Sequence, residues 1–224
     1  MRVSAIEGHR IWASSYDAGL NPLLALESRL VLERLVPMGG SRFLDVACGT
    51  GRWMLMARQC GAHVLGFDFC REMLFEASRK PGLGGSLSLA DACRVPVADS
   101  VADIALCSFA LGYVASPQQT IAEMARVTRK GARVIATDLH PAAVAAGWKR
   151  SFRSDGRIYE IDHHPHPIRA WEAAGESAGL LLDWRLDASF GEPEREIFLQ
   201  AGKDSSFAEL SHIPALLAMC WTKS

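Results

Sequence analysis

The sequence predicts an α/β fold, a doubly wound and mostly parallel sheet with helices on both faces. Short apolar runs of strand length alternate with amphipathic helical stretches along most of the chain. Gly and Pro mark the junctions between them. A Gly-rich turn follows the first long apolar strand, and an acidic residue closes the second strand about 20 residues on, the spacing of one βαβ step. Such alternation makes parallel strands joined by right-handed crossovers, which put helices on both faces.

Each element has a local reason. Asn21-Pro22 supplies an N-cap and a first-turn proline. Leu23, Leu26, Leu30 and Leu35 recur at helical spacing, and Pro37 with Gly39-Gly40 ends that helix. Residues 42–47 read as a buried strand, 50–60 as a helix stopped by Gly61, and 63–67 as a second strand. Residues 71–80 then read as a helix, 86–90 as a third strand and 102–107 as a fourth. Ser116-Pro117-Gln118-Gln119 has the form of a capping box, and the helix through Ile121, Met124 and Val127 is expected to stop at Gly131. Strands at 133–137, 180–186 and 216–221, with a helix at 168–178, complete the pattern. Two stretches fit no such rhythm. Residues 140–167 suit a hairpin turning at Ser154-Asp155-Gly156, and 190–213 form the other.

The chain has 224 residues, 49% hydrophobic and 22% charged, which suits one globular domain over 1–224. Its expected parts are N-terminal helices at 1–40, a ligand-binding core at 41–138, and insertions at 139–167 and 190–213. A net charge of −1 gives no basic field for nucleic acid or anionic lipid. No apolar stretch is long enough to span a bilayer, and Met1 to Tyr16 lacks the pattern of an export signal, so a cytoplasmic protein is expected. The six cysteines contain no C-x-x-C pair and sit mostly in apolar segments, which suits reduced thiols.

The sharpest motif is Leu44-Asp45-Val46-Ala47-Cys48-Gly49-Thr50-Gly51. Glycines there allow tight turning, and backbone N–H groups at a helix start favour an anion. Asp45 can orient the loop or accept from an ammonium, so the site suits an amino-acid moiety. A dinucleotide fingerprint requires Gly or Ala where this chain has Met54, which disfavours a nicotinamide oxidoreductase. Asp68 ends the second strand, where a carboxylate can chelate ribose hydroxyls. Asp91 and Ala92 end the third, suited to an adenine edge, and Met73 suits either an adenine face or plain core.

These segments, LDVACGTG, GFDFCREML, LADACRVPVAD, VADIALCSFALGYV and IAEMARVTRKGARVIATD, resemble the class I S-adenosylmethionine-dependent methyltransferases, in particular the small-molecule group called type 11. The resemblance covers Arg42 to Asp138, with weaker likeness on both sides. It implies a Rossmann-like methyltransferase fold with seven strands, the last antiparallel. It implies S-adenosylmethionine as cofactor, with contacts from Asp45, Ala47, Cys48, Gly49, Gly51, Asp68, Phe69, Met73, Asp91, Ala92, Ser108, Phe109 and Tyr16. Ala47 stands where many relatives have Gly. The implied reaction is methyl transfer to a small-molecule acceptor by in-line displacement, in a monomer or homodimer.

On the acceptor side the residues leave alternatives open. Tyr16, in the lid, and His140, after the fifth strand, are candidate catalytic groups; a loop His is also commonly a surface residue. Trp12 and Tyr113 suit either cation–π contact with a sulfonium or core packing. His166 and His164 suit the acceptor pocket or a turn. A metal at His163, His164 and His166 with Asp162 is disfavoured, because His163 and His164, adjacent on an expected strand, face opposite ways and Ser108 stands where metal-using relatives place a carboxylate. Lys149, Arg150, Arg153 and Arg157 suit either an acidic acceptor or a solvated face. A cofactor-binding partner subunit without turnover is the alternative from another functional class.

Overall fold

The computed structural model describes residues 1–224. A short strand, β1 (Arg2–Val3), leads into α1 (Ala5–Trp12), where the Ser4 hydroxyl caps the helix by accepting from the Glu7 amide at 3.3 Å. A 3₁₀ turn (Ala13–Ser15) precedes α2 (Pro22–Leu35), whose Asn21 cap accepts from the Leu23 amide at 2.9 Å. Next come β2 (Arg42–Val46), α3 (Arg52–Gln59), β3 (His63–Asp68), α4 (Arg71–Ser78), β4 (Leu87–Leu89) and β5 (Ala102–Ser108), close to the expected boundaries.

The next junction departs from expectation. Helix α5 (Pro117–Val127) starts at its proline, but no capping box forms, because the Ser116 hydroxyl bonds the Gln118 side chain at 3.0 Å. The helix ends before Gly131: the Thr128 hydroxyl turns back to the Met124 carbonyl at 2.7 Å, and the backbone becomes extended. Gly131, at φ 74°, therefore lies inside β6 (Thr128–Leu139), at an irregularity in its pairing with β5.

The chain continues through α6 (Pro141–Ala145), β7 (Ser151–Ser154), β8 (Arg157–Ile161), α7 (Ile168–Ser177) and β9 (Leu180–Ala188). It ends with α8 (Glu192–Gln200), α9 (Asp204–Leu210) and β10 (Leu216–Lys223). The expected hairpin is β7–β8, and Asp155 and Gly156 both take positive φ, as a tight two-residue hairpin turn requires.

The main sheet has seven strands in the order β4-β3-β2-β5-β6-β10-β9. Only β10 runs antiparallel to its neighbours, as expected for the last strand. The order reverses between β2 and β5, and a crevice opens beyond strand carboxyl ends at such a switch point. One apolar cluster joins α2, α3 and α8 to one face, and a second joins α5 and α7 to the other. No helix is long and apolar enough to cross a membrane, and all six cysteines are unpaired.

A separate three-stranded sheet, β1-β8-β7, carries α1 over the crevice. A Cβ on Gly8 would lie 2.7 Å from Ile161 Cγ1, so the absence of a side chain lets α1 sit directly on β8. The Trp12 ring stacks on Phe152 with centroids 4.8 Å apart and an interplanar angle of 2°.

Candidate active site

A cavity of about 430 Å³ opens at the carboxyl ends of β2 to β5. Its floor comes from strand-end loops: Ala47 and Gly49 after β2, Asp68 on β3, Asp91 and Ala92 after β4, and Ser108 on β5. The Asp68 carboxylate ties two loops together, accepting from the Gly49 amide at 2.7 Å and the Cys70 amide at 2.8 Å. Burial raises the Asp68 carboxyl above its ordinary range, while those amide bonds pull it back down. Asp91 accepts from the Cys93 amide at 2.8 Å through one oxygen.

The loop after β2 holds unusual backbone. Ala47 takes φ 62°, a conformation Gly enters freely and Ala enters at a cost of about 1–2 kcal/mol. Gly51 caps α3 at φ 76°, and a Cβ there would lie 2.9 Å from Leu83. Phe109, in the cavity wall, sits at φ 51°.

Beneath the loop lies a polar cluster the sequence did not disclose. Glu27 of α2, fully buried, pairs with Arg52, accepts from Trp53 Nε1 at 3.1 Å and Ser108 Oγ at 2.7 Å, and is bonded by Thr137 Oγ1. Asp45 is also buried, and its Oδ1 has no hydrogen-bond partner. Burial, opposed by Arg52 and reinforced by Glu27, pushes its carboxyl up to about 7. Two carboxyl groups therefore face one guanidinium below the loop.

The roof is the N-terminal segment. Ser4, Ala5, Ile6 and His9 of the α1 region, with Tyr16, line the cavity. Asp17 fastens this segment, accepting from Thr50 Oγ1 at 3.0 Å and pairing with Lys80 at 2.7 Å. The His9 ring donates through Nδ1 to the Ala5 carbonyl at 2.7 Å and meets Tyr113 edge-on at 4.8 Å. Burial lowers its pKa. The sequence reading passed over His9; the available signal was Ser4 followed three residues later by Glu7, which starts a helix and puts His9 on its last turn.

The expected residues distribute unevenly. Ala47, Gly49, Asp68, Phe69, Met73, Asp91, Ala92, Ser108, Phe109 and Tyr16 all line the cavity. Asp45, Cys48 and Gly51 do not: they form the buried underside of the loop. His140 lies outside the cavity as the N-cap of α6, its Nδ1 accepting from the Ala142 amide at 3.0 Å and its Nε2 lying 2.9 Å from Asp187. Both ring nitrogens are thus engaged, which argues against its use as a base. His166 likewise stays outside, its Nε2 2.9 Å from the Val114 carbonyl.

No residue after Thr120 lines the cavity, so the insertions at 139–167 and 190–213 do not supply its walls. The first of them instead braces the wall from behind. Arg150 pairs with the buried Asp138, donates to the Phe109 carbonyl at 3.0 Å and covers the Tyr113 ring at 4.6 Å. Asp138 in turn accepts from the Gly112 amide at 2.5 Å. Arg150 is therefore withdrawn from the basic cluster, Lys149 pairs with Glu160, and Arg153 and Arg157 are exposed. Trp12 packs between Phe152 and Tyr16, outside the cavity.

Residues 44–136 match the model of a family described as "Methyltransferase domain". The chain is 30% identical over 203 residues to the demethylmenaquinone methyltransferase of Clavibacter sepedonicus, covering 81% of this chain and 80% of that one. The chain belongs to the S-adenosylmethionine-dependent methyltransferases. The methyltransferase is also 35% identical over 133 residues to a ubiquinone/menaquinone biosynthesis C-methyltransferase of Bdellovibrio bacteriovorus, spanning 55% of this chain and just over half, 56%, of that relative. Its fold is that of an S-adenosylmethionine-dependent methyltransferase from Mesorhizobium loti, with a TM-score of 0.71 at 20% identity, covering 91% of this chain and 100% of that one.

Proposed function

We propose that this chain catalyses methyl transfer from S-adenosylmethionine to an oxygen or carbon of a small, largely apolar ring that carries hydroxyl groups, a hydroquinone or phenol. The observation that carries the reading is the cavity itself. Polar groups suited to a nucleoside stand at three successive strand ends, while two thirds of the lining residues are hydrophobic. The names of two relatives, a ubiquinone/menaquinone biosynthesis C-methyltransferase and a demethylmenaquinone methyltransferase, support the same acceptor class.

The residues fit the cofactor. Asp68 would accept from ribose hydroxyls through its remaining lone pairs, and Phe69 and Met73, which line the same cavity, would border the base. Asp91 keeps one oxygen free for an adenine amino group, next to the Ala92 amide. Asp45, whose buried Oδ1 is unpartnered, would be drawn into its charged form by a cation above the loop, which is what the ammonium and sulfonium of the cofactor present. When bound, S-adenosylmethionine supplies a methyl carbon made electrophilic by its sulfonium. The chain's own part is alignment and exclusion of water. Helix α1 and Tyr16 close the cavity from above, and Phe109 and Tyr113, held by Arg150, form the side against which an acceptor ring would pack.

Calorimetric titration with S-adenosylmethionine and S-adenosylhomocysteine, followed by labelled methyl transfer to 1,4-naphthohydroquinone, tests the reading. Micromolar binding and a methylated product are expected. A folded protein that binds neither nucleoside overturns the reading. Binding without transfer to any hydroquinone or phenol would favour a cofactor-binding subunit without turnover.

A further inference from the structure

Methylating a hydroxylated ring releases one proton, and an apolar cavity needs a group to take it. Most cavity groups are already committed. The Asp68 oxygens each hold a backbone amide, and the Ser108 hydroxyl donates to Glu27. Burial raises the pKa of the Tyr16 phenol, so it stays protonated. His9 differs. A carbonyl can only accept, so the 2.7 Å contact with Ala5 assigns the proton to Nδ1 and leaves the Nε2 lone pair bare. Nε2 has no hydrogen-bond partner in the protein and is not among the sealed polar atoms, while its residue lines the cavity. Asp68 from β3 and Arg150 from the segment before β7 act on the ring through their charges, Tyr113 after β5 meets it edge-on, and Tyr16 beyond α1 lines the same cavity. Asp68 and Arg150 act on the ring in opposite senses, and burial keeps it neutral at pH 7.

We propose that His9 is the general base of this methyltransferase, its Nε2 taking the proton from the acceptor's hydroxyl or methylated ring carbon. The proposal rests on the hydroxylated-ring reading above. In the step, the acceptor's oxygen or carbon forms the new bond to the methyl carbon. The methyl–sulfur bond breaks with its electron pair left on sulfur. The acceptor proton passes to Nε2, and the imidazolium then returns it to solvent. General bases of this kind contribute about 10²–10⁴-fold.

The test compares the full chain with H9Q. S-adenosylhomocysteine should bind both within about twofold by calorimetry; a tenfold loss in H9Q would make His9 a nucleoside ligand and overturn the proposal. In the ¹⁵N spectrum of the S-adenosylhomocysteine complex, the His9 signals missing from H9Q should show a protonated Nδ1 and a bare Nε2 at pH 7. Addition of 4-nitrophenol should then move the Nε2 signal toward its protonated position. The opposite tautomer, or an unmoved signal, overturns the proposal. With 1,4-naphthohydroquinone, H9Q should lose kcat at least about 100-fold with KM little changed; equal kcat in the two proteins also overturns it. A wild type that shifts with nitrophenol yet methylates no hydroquinone refutes the acceptor reading alone and leaves His9 as the proton acceptor.

Discussion

Glu27→Gln tests whether the cluster beneath the glycine loop holds the site together. The change keeps the volume and removes the charge. Four donors converge on this carboxylate, from Arg52, Trp53, Ser108 and Thr137. An amide retains only one accepting oxygen. If that oxygen faces Arg52 and Trp53, the two hydroxyls can rotate to accept from the new amide, so the main loss is the buried ion pair. Removing one partner of such a pair costs about 3–5 kcal/mol. Asp45 nearby can partly compensate Arg52, so the lower end, about 3 kcal/mol, is expected. For a chain of this length that lowers the melting temperature by about 6–12 °C. Calorimetric melting and urea titration at pH 7 measure it. The double variant, Glu27→Leu with Arg52→Met, should lose less than the sum of the two single changes, because neither leaves a stranded charge. A loss below about 1 kcal/mol for E27Q, or strict additivity in the double variant, would refute the reasoning.

Four other outcomes follow from the geometry. Asp68→Asn keeps one accepting oxygen but loses the charge, and should weaken S-adenosylhomocysteine binding by at least tenfold, about 1.4 kcal/mol, in calorimetry. Ala47→Gly relieves the positive φ and should raise stability by about 1 kcal/mol in urea titration; a loss instead would mean unfolded-chain entropy dominates. His140→Ala removes a helix cap and should cost about 1 kcal/mol while leaving nucleoside affinity intact. The Asp45 carboxyl sits at about 7 in the folded chain against about 3.9 when unfolded, so the folded state holds the extra proton between those values. Its contribution makes stability fall as pH rises from about 4 to 7 and level off above. D45N should lack that slope, and identical pH profiles would sink the assignment.

The sequence made the sheet legible because each βα step writes its own signal: an apolar run, a turn glycine, a capped helix. The strand-end carboxylates were legible for the same reason, since Asp68 and Asp91 close apolar runs. The roof was not. β1 is two residues long and pairs with Glu160 and Ile161, a contact no local pattern records. Glu27 reads as a polar interruption in a leucine stripe, and only the packing of α2 on the loop shows that four donors meet it. Gly131 follows a helical pattern with basic residues, the usual signature of a stop, and a hydroxyl–carbonyl bond at Thr128 acts first. The basic cluster at 149–157 hid the difference between Arg150, turned inward to Asp138, and its exposed neighbours.

The pairing of β1 with β8 also sets an order of events during synthesis. Residues 2–12 leave the ribosome early, and although α1 can rest on α4 once that helix has formed, β1 has no strand to pair with until residue 161 has followed. At about 5–20 residues per second, that interval is roughly 10–30 s. In its later part, once residue 108 has followed, the strand ends of β2 to β5 can already be in place, with the floor of the cavity open to water and to any nucleoside in solution. The nascent chain should therefore bind S-adenosylhomocysteine weakly before it can exclude solvent. Acquisition of the closed, reaction-ready cavity waits on the β7–β8 hairpin, a segment that contributes no residue to its lining.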